Sequence, residues 1–184
     1  ILTKQCFIIN EQKIKSEINN FLRSKGNNKQ LILKIFSISN EISKVKKVNN
    51  KIIEFNKDEF VFLRNINCTK EVSFDLVLYI KNFYIFMMKR IHKDEFQHEI
   101  DFCKKYSHRC LTKFYGFLKE KDNIIGLIYE FQCNGTISSY KQIDDMFSLI
   151  TIYRLFEAIE YLHSKSLIHR DLKPSNILIN HDNL

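Results

Sequence analysis

The chain is 184 residues long, with 4 glycines, 1 proline, 45% hydrophobic and 13% aromatic residues, which excludes collagen-like and linker-like classes and suffices for a packed core. Its 29 Lys+Arg against 21 Asp+Glu give a net charge of +8, all of it in residues 1–57, which hold 12 basic and 4 acidic residues against 17 of each beyond. Five cysteines with no Cys-x-x-Cys pair argue against a disulfide framework or a zinc site and fit a reducing, cytoplasmic compartment.

The chain opens at Ile1 with no initiator methionine, so the expectation is a processed chain or a piece of a longer product. The basic segment reads as helical. Ile14, Ile18, Phe21 and Leu22 share one face; Leu31, Ile35, Ile38, Ile42 and Val45 continue the pattern, with Gly26-Asn27-Asn28 as a turn between them. An antiparallel helical pair with a solvated basic face is expected, and without an aromatic stacking platform no nucleic-acid partner is expected. From Asp58 the period changes to two. Phe60 to Leu63 reads as a strand, Val72 to Ile80 as a second, and Phe83 to Lys89 as a third after the Lys81-Asn82 connection. The apolar run Phe83–Met88 is far short of the roughly 20 residues of a membrane helix, so no transmembrane segment is expected. Phe96, Ile100, Cys103 and Tyr106 recur at helical spacing, with Asp94 at an N-cap or first-turn position. Strands at Lys113–Lys119 and Ile124–Phe131 follow. A long helix from Asp145 to Ser164 is then predicted to bury Leu149, Ile152, Phe156 and Ile159. Three strands, one helix, two strands and a helical region make an α+β order.

The most specific stretch follows that helix. His169-Arg170-Asp171-Leu172-Lys173-Pro174-Ser175-Asn176 closely resembles the catalytic loop of the eukaryotic protein kinase family, in the serine/threonine pattern because a lysine stands two places after Asp171. By this resemblance Asp171 orients the attacking hydroxyl and accepts its proton, Lys173 neutralises charge on the transferred phosphoryl, and Asn176 ligates magnesium. Lys89 falls where the family's phosphate-contacting lysine stands, and Glu99 where its helix partner stands, with Glu95 and Asp94 as competitors for that pairing. Leu127 to Gln132 resembles the hinge, whose backbone at Glu130 and Gln132 would meet an adenine, with Tyr129 at the gatekeeper position. The run Ser107-His108 through Phe114-Tyr115-Gly116-Phe117 is similar to the tyrosine-kinase-like branch.

The resemblance covers about residues 60–184. It implies a kinase-like N-lobe of five antiparallel strands and one helix (58–131), a hinge (130–135) and the start of a helical C-lobe (136–184), preceded by the helical segment 1–57. It also implies ATP and magnesium as cofactors and a protein substrate. The pattern departs in two places. Asn67, Thr69 and Val72 stand where the family's nucleotide loop has three glycines, and no glycine occurs from Asn27 to Tyr115. The family's Asp-Phe-Gly aspartate would lie past Leu184. The expectation is therefore a serine/threonine kinase present as an incomplete domain, with no appreciable phosphoryl transfer by this chain alone. A pseudokinase or regulatory interaction module is the alternative.

Overall fold

The computed structural model describes residues 52–81, 84–91 and 96–179. The expected helical pair, Asn82 of the strand connection and the Asp94 cap lie outside the described residues. Among the described residues six strands form one sheet: β1 (Ile53–Asn56), β2 (Phe60–Cys68), β3 (Val72–Tyr79), β4 (Tyr84–Ile91), β5 (Phe114–Glu120) and β6 (Asn123–Glu130), in the order β1-β5-β6-β4-β3-β2. Two α-helices among the described residues, α1 (Phe96–Lys105) and α2 (Asp145–Ser164), complete an α+β architecture.

The sheet corrects one expectation. Residues 53–56, assigned from the sequence to the helical segment, are an edge strand running parallel to β5, with Ile53 opposite Gly116 and Asn56 opposite Lys119. The sheet is therefore mixed and six-stranded rather than five-stranded and antiparallel. Four residues are too few to show a period, and Ile53 and Phe55 also fit the end of a helical stripe. Asn56 ends the strand by accepting a hydrogen bond from the Asp58 N–H at 3.3 Å, while the Glu59 carboxylate accepts from the Asn56 N–H at 3.4 Å. Gly116 makes the docking possible, since a Cβ there would lie 1.8 Å from the Ile53 carbonyl oxygen.

Period-two alternation sends β3 and β4 side chains to two different cores. On one face Val77, Phe86 and Met88 pack with Phe55, Leu118 and Ile128. Phe55 meets Phe60 and Tyr79 edge-on, both at 5.3 Å between ring centroids, a geometry that suits the ring quadrupoles. This face ends in Asp75, fully buried, which faces Arg90 at 2.5 Å and accepts from Asn65 at 2.8 Å. On the other face, α1 seats Phe96 and Ile100, one turn apart, against Leu127 of β6. Lys89 and Phe74, paired across β3 and β4, belong to this second face.

Helix α2 has the limits expected from sequence, and the Asp144 carboxylate accepts a hydrogen bond from the Phe147 N–H at 2.8 Å as its N-cap. Its buried face differs. Leu149, Ile152 and Phe156 are 62%, 50% and 65% exposed, whereas Ala158 and Leu162 are buried. The C-terminal half carries the contacts to the segment after α1, where the Tyr161 ring stacks on His108 at 4.8 Å, its hydroxyl accepts from the Ser107 N–H at 3.1 Å, and Glu157 pairs with Arg109. An apolar stripe identifies a face that favours burial and carries no information about which neighbour covers it. Past α2, the Ile137 N–H donates to the Ile177 carbonyl and the Ile179 N–H to the Gly135 carbonyl, both at 2.9 Å. These bonds stitch the loop after α2 to the segment after β6. Gly135 has φ +72°, a backbone position that glycine adopts without strain.

Candidate active site

Lys89 on β4 and Glu99 on α1 form a half-buried ion pair. The Lys89 Nζ donates to the two carboxylate oxygens at 2.7 and 2.6 Å. A lysine held bidentately points in one direction, and partial burial raises the worth of the contact above that of an exposed pair. Glu99 reaches the lysine because Phe96 and Ile100 anchor the same helical turn against the sheet. Two further groups complete the cluster: the Tyr129 hydroxyl donates to Glu99 Oε1 at 2.5 Å, and Cys103 Sγ lies 3.5 Å from the same hydroxyl. Burial, followed by the charge of Glu99, pushes the Tyr129 phenol far above its usual range, so it stays a donor. Burial likewise raises the Cys103 thiol. Lys89, Glu99, Cys103 and Tyr129 line a cleft of about 560 Å³ whose far wall includes His169 and Leu178.

The second cluster lies in the loop that follows α2. Lys173 Nζ lies 2.9 Å from Asp171 Oδ2, and Asn176 Nδ2 donates to both the Asp171 carbonyl and Oδ2, each at 2.9 Å. The Asp171 N–H donates to His169 Nδ1 at 3.3 Å, which makes the histidine a brace for the loop backbone. A single 3₁₀ turn, Pro174–Asn176, sets the loop's curvature with proline at its first position, where the missing N–H costs nothing. Arg170 sits at φ +67°, a strained conformation for a non-glycine residue and a common companion of functional loops. Hydrogen bonds from Lys173, then Asn176, hold the exposed Asp171 carboxyl below the usual carboxylate range. Asp171 and Lys173 do not line the Lys89 cleft. Asn176 lines an adjoining hollow together with Gln132, Glu130 and His169.

At the end of β6 the Glu130 N–H donates to the Lys113 carbonyl at 2.9 Å, and the Gln132 carbonyl accepts from the Gly135 N–H at 3.2 Å. The Gln132 side chain donates to the Glu130 carboxylate at 2.8 Å, which fixes the pair side by side. The turn between β2 and β3 is closed by Thr69. Its hydroxyl accepts from the Glu71 and Val72 N–H groups at 3.3 and 3.1 Å, and its own N–H donates to the Val72 carbonyl at 2.8 Å.

The protein kinase domain family matches residues 69–184, from this turn to the last residue. The chain belongs to the protein kinase family. It is 32% identical over 114 residues to an Aurora kinase of Saccharomyces cerevisiae, across 55% of this chain and 31% of that protein. It is 27% identical over 173 residues to an Aurora kinase of Candida glabrata, across 90% of this chain and 43% of the relative. A mitogen-activated protein kinase kinase kinase of Arabidopsis thaliana is 29% identical over 119 residues, across 62% of this chain and 18% of its own length. The chain thus spans less than half the length of these curated kinases. In kinase terms the sheet and α1 are the N-lobe and α2 begins the C-lobe, with the mixed sixth strand as the departure from the expected sheet. Among the described residues no helix is long and apolar enough to cross a membrane.

Two residues make contacts that their positions in the sequence only partly signal. Cys103 fits the helix's apolar spacing, and its position four residues after Glu99 puts both on one face of α1. Thr69 stands where the family has a glycine, and the signal for its turn is a threonine three residues before the strand start at Val72.

Proposed function

We propose that the chain carries the nucleotide-binding lobe and catalytic loop of a serine/threonine protein kinase that uses ATP and magnesium. The observation that carries this reading is the Asp171-Lys173-Asn176 cluster, in which a lowered carboxyl pKa, a cation and an amide converge on one point. Asp171 accepts the hydrogen bond of a serine or threonine hydroxyl and takes its proton. Lys173 lies next to the same carboxylate oxygen and offsets charge on the transferred group. Magnesium would take the amide oxygen of Asn176, a hard ligand, since Asn176 gives its N–H to Asp171. When bound, the metal neutralises phosphate charge. Lys89, fixed by Glu99, contacts the nucleotide phosphates, and the backbone at Glu130 and Gln132 receives the adenine edge.

The test uses the longest gene product that contains the chain. Mg- and ATP-dependent labelling of a protein substrate on serine or threonine is expected, and Asp171→Asn should lower it at least about 100-fold, the low end of what a positioned general base contributes. Labelling that survives Asp171→Asn would overturn the assignment.

One observation favours a second reading, a pseudokinase or interaction module with weak nucleotide affinity. Thr69 already satisfies the Glu71 and Val72 N–H groups, which in a glycine loop would turn to phosphate oxygens. Catalysis with ordinary ATP affinity by the gene product would set it aside.

A further inference from the structure

The contact between Tyr129 and Glu99 goes beyond the bulk that a large residue brings to this part of the cleft. We propose that Tyr129 is a positioning residue whose hydroxyl locks Glu99, and through it Lys89 and helix α1, into the geometry that faces the nucleotide. The proposal rests on the kinase reading for the role of Lys89, and on its own geometry for the lock.

Four groups form an ordered hydrogen-bond chain in which the Glu99 carboxylate is the final acceptor. The phenol proton is committed to Glu99 Oε1 at 2.5 Å, so the contact of 3.5 Å between Cys103 and the Tyr129 oxygen must have the thiol as donor. The sequence of contacts runs from the Cys103 S–H to the Tyr129 O–H, then to the Glu99 carboxylate, which also holds the Lys89 ammonium at 2.7 and 2.6 Å. Each link in such a chain polarises the next, and the part-buried setting strengthens all of them. The backbone supplies the alignment. Tyr129 pairs with Met87 and Leu127 with Lys89 across β4 and β6, which puts Tyr129 and Lys89 on the same face of adjacent strands. Glu99 and Cys103, one turn apart on α1, face them both. The ten described residues of the helix bury only Phe96 and Ile100. A charge-assisted hydrogen bond from the sheet is therefore a large part of what holds Glu99 in place.

Amide hydrogen exchange of residues 97–103 in the full 184-residue chain, without nucleotide, tests the lock directly. Tyr129→Phe keeps the ring and removes only the hydroxyl. Exchange is expected to speed up roughly ten-fold, the effect of losing one hydrogen bond to a charged group. In a Glu99→Ala background the same substitution should add less than about two-fold, since its target is gone. Unchanged exchange in Tyr129→Phe, or an equal acceleration with and without Glu99, would sink the proposal, because ring packing alone predicts those results. If Tyr129→Phe does not fold, Cys103→Val takes its place. Removing the thiol donor should accelerate exchange about two- to three-fold with Glu99 present and not in Glu99→Ala, and additive behaviour would again overturn the idea. A titration with a fluorescent ATP analogue keeps this separate from the kinase reading. No binding by the unmodified chain would count against nucleotide recognition while the exchange data still decide the lock.

Discussion

The side chains with the most consequence here act on backbone or on each other before any ligand arrives. Thr69 is the clearest case, since its hydroxyl occupies two N–H groups in the turn where the kinase family keeps glycines. Thr69→Gly releases both groups, and affinity for an ATP analogue, followed by fluorescence titration, should tighten about three- to ten-fold, the range expected for one net hydrogen bond. No gain would mean that Val72, β-branched and set in β3, holds the turn away from the phosphates. Asp171 shows the same local economy. Lys173 and Asn176 both engage its Oδ2, which holds the carboxyl below the usual range and fixes its direction. These three residues were legible in sequence because their contacts lie within five positions of each other. The Tyr129 contact with Glu99 was not, because thirty residues separate them and only the fold brings them together.

At the level of elements, β1 and α2 carry the contrast between what a pattern implies and what it finds to pack against. The parallel pairing of β1 with β5 requires Gly116, where a side chain would collide with the Ile53 carbonyl. Gly116→Ala should cost about 2–3 kcal/mol in urea unfolding, the scale of forced overpacking. Combined with Phe55→Ala, whose ring anchors the same strand, it should cost less than the sum of the two, because either change alone undocks β1. Full additivity would show that the strand remains in place. For α2 the expected cost runs the other way. Phe156 is largely exposed, so Phe156→Ser should change the stability of this chain by less than about 0.5 kcal/mol. A loss of 2 kcal/mol or more, as roughly expected for a buried aromatic, would place that face in contact with something within the chain.

Over the whole molecule, ligand binding and folding are linked, and the cleft beside Lys89 joins the two lobes described here. Mg-ATP at about 100 times its dissociation constant should stabilise the chain by about 2.7 kcal/mol, seen as a raised melting temperature, and Lys89→Met should remove most of that gain. An undiminished shift in Lys89→Met would refute a phosphate-contacting role for the lysine. The sequence by itself determined the order of strands and helices from Phe60 onward, the limits of α2 and the catalytic-loop motif. The first two follow from local periodicity and spacing, which act over a few residues, and the motif rests on its resemblance to the kinase family's catalytic loop. Only the tertiary structure decided that residues 53–56 extend the sheet, that α2 buries Ala158 and Leu162 rather than its Leu149 and Phe156 stripe, and that Tyr129 and Cys103 join Lys89 and Glu99. The physical reason is common to all three. Each depends on which surface meets which across a long separation in the chain, and a residue's own pattern states its preference for burial or pairing without naming its partner.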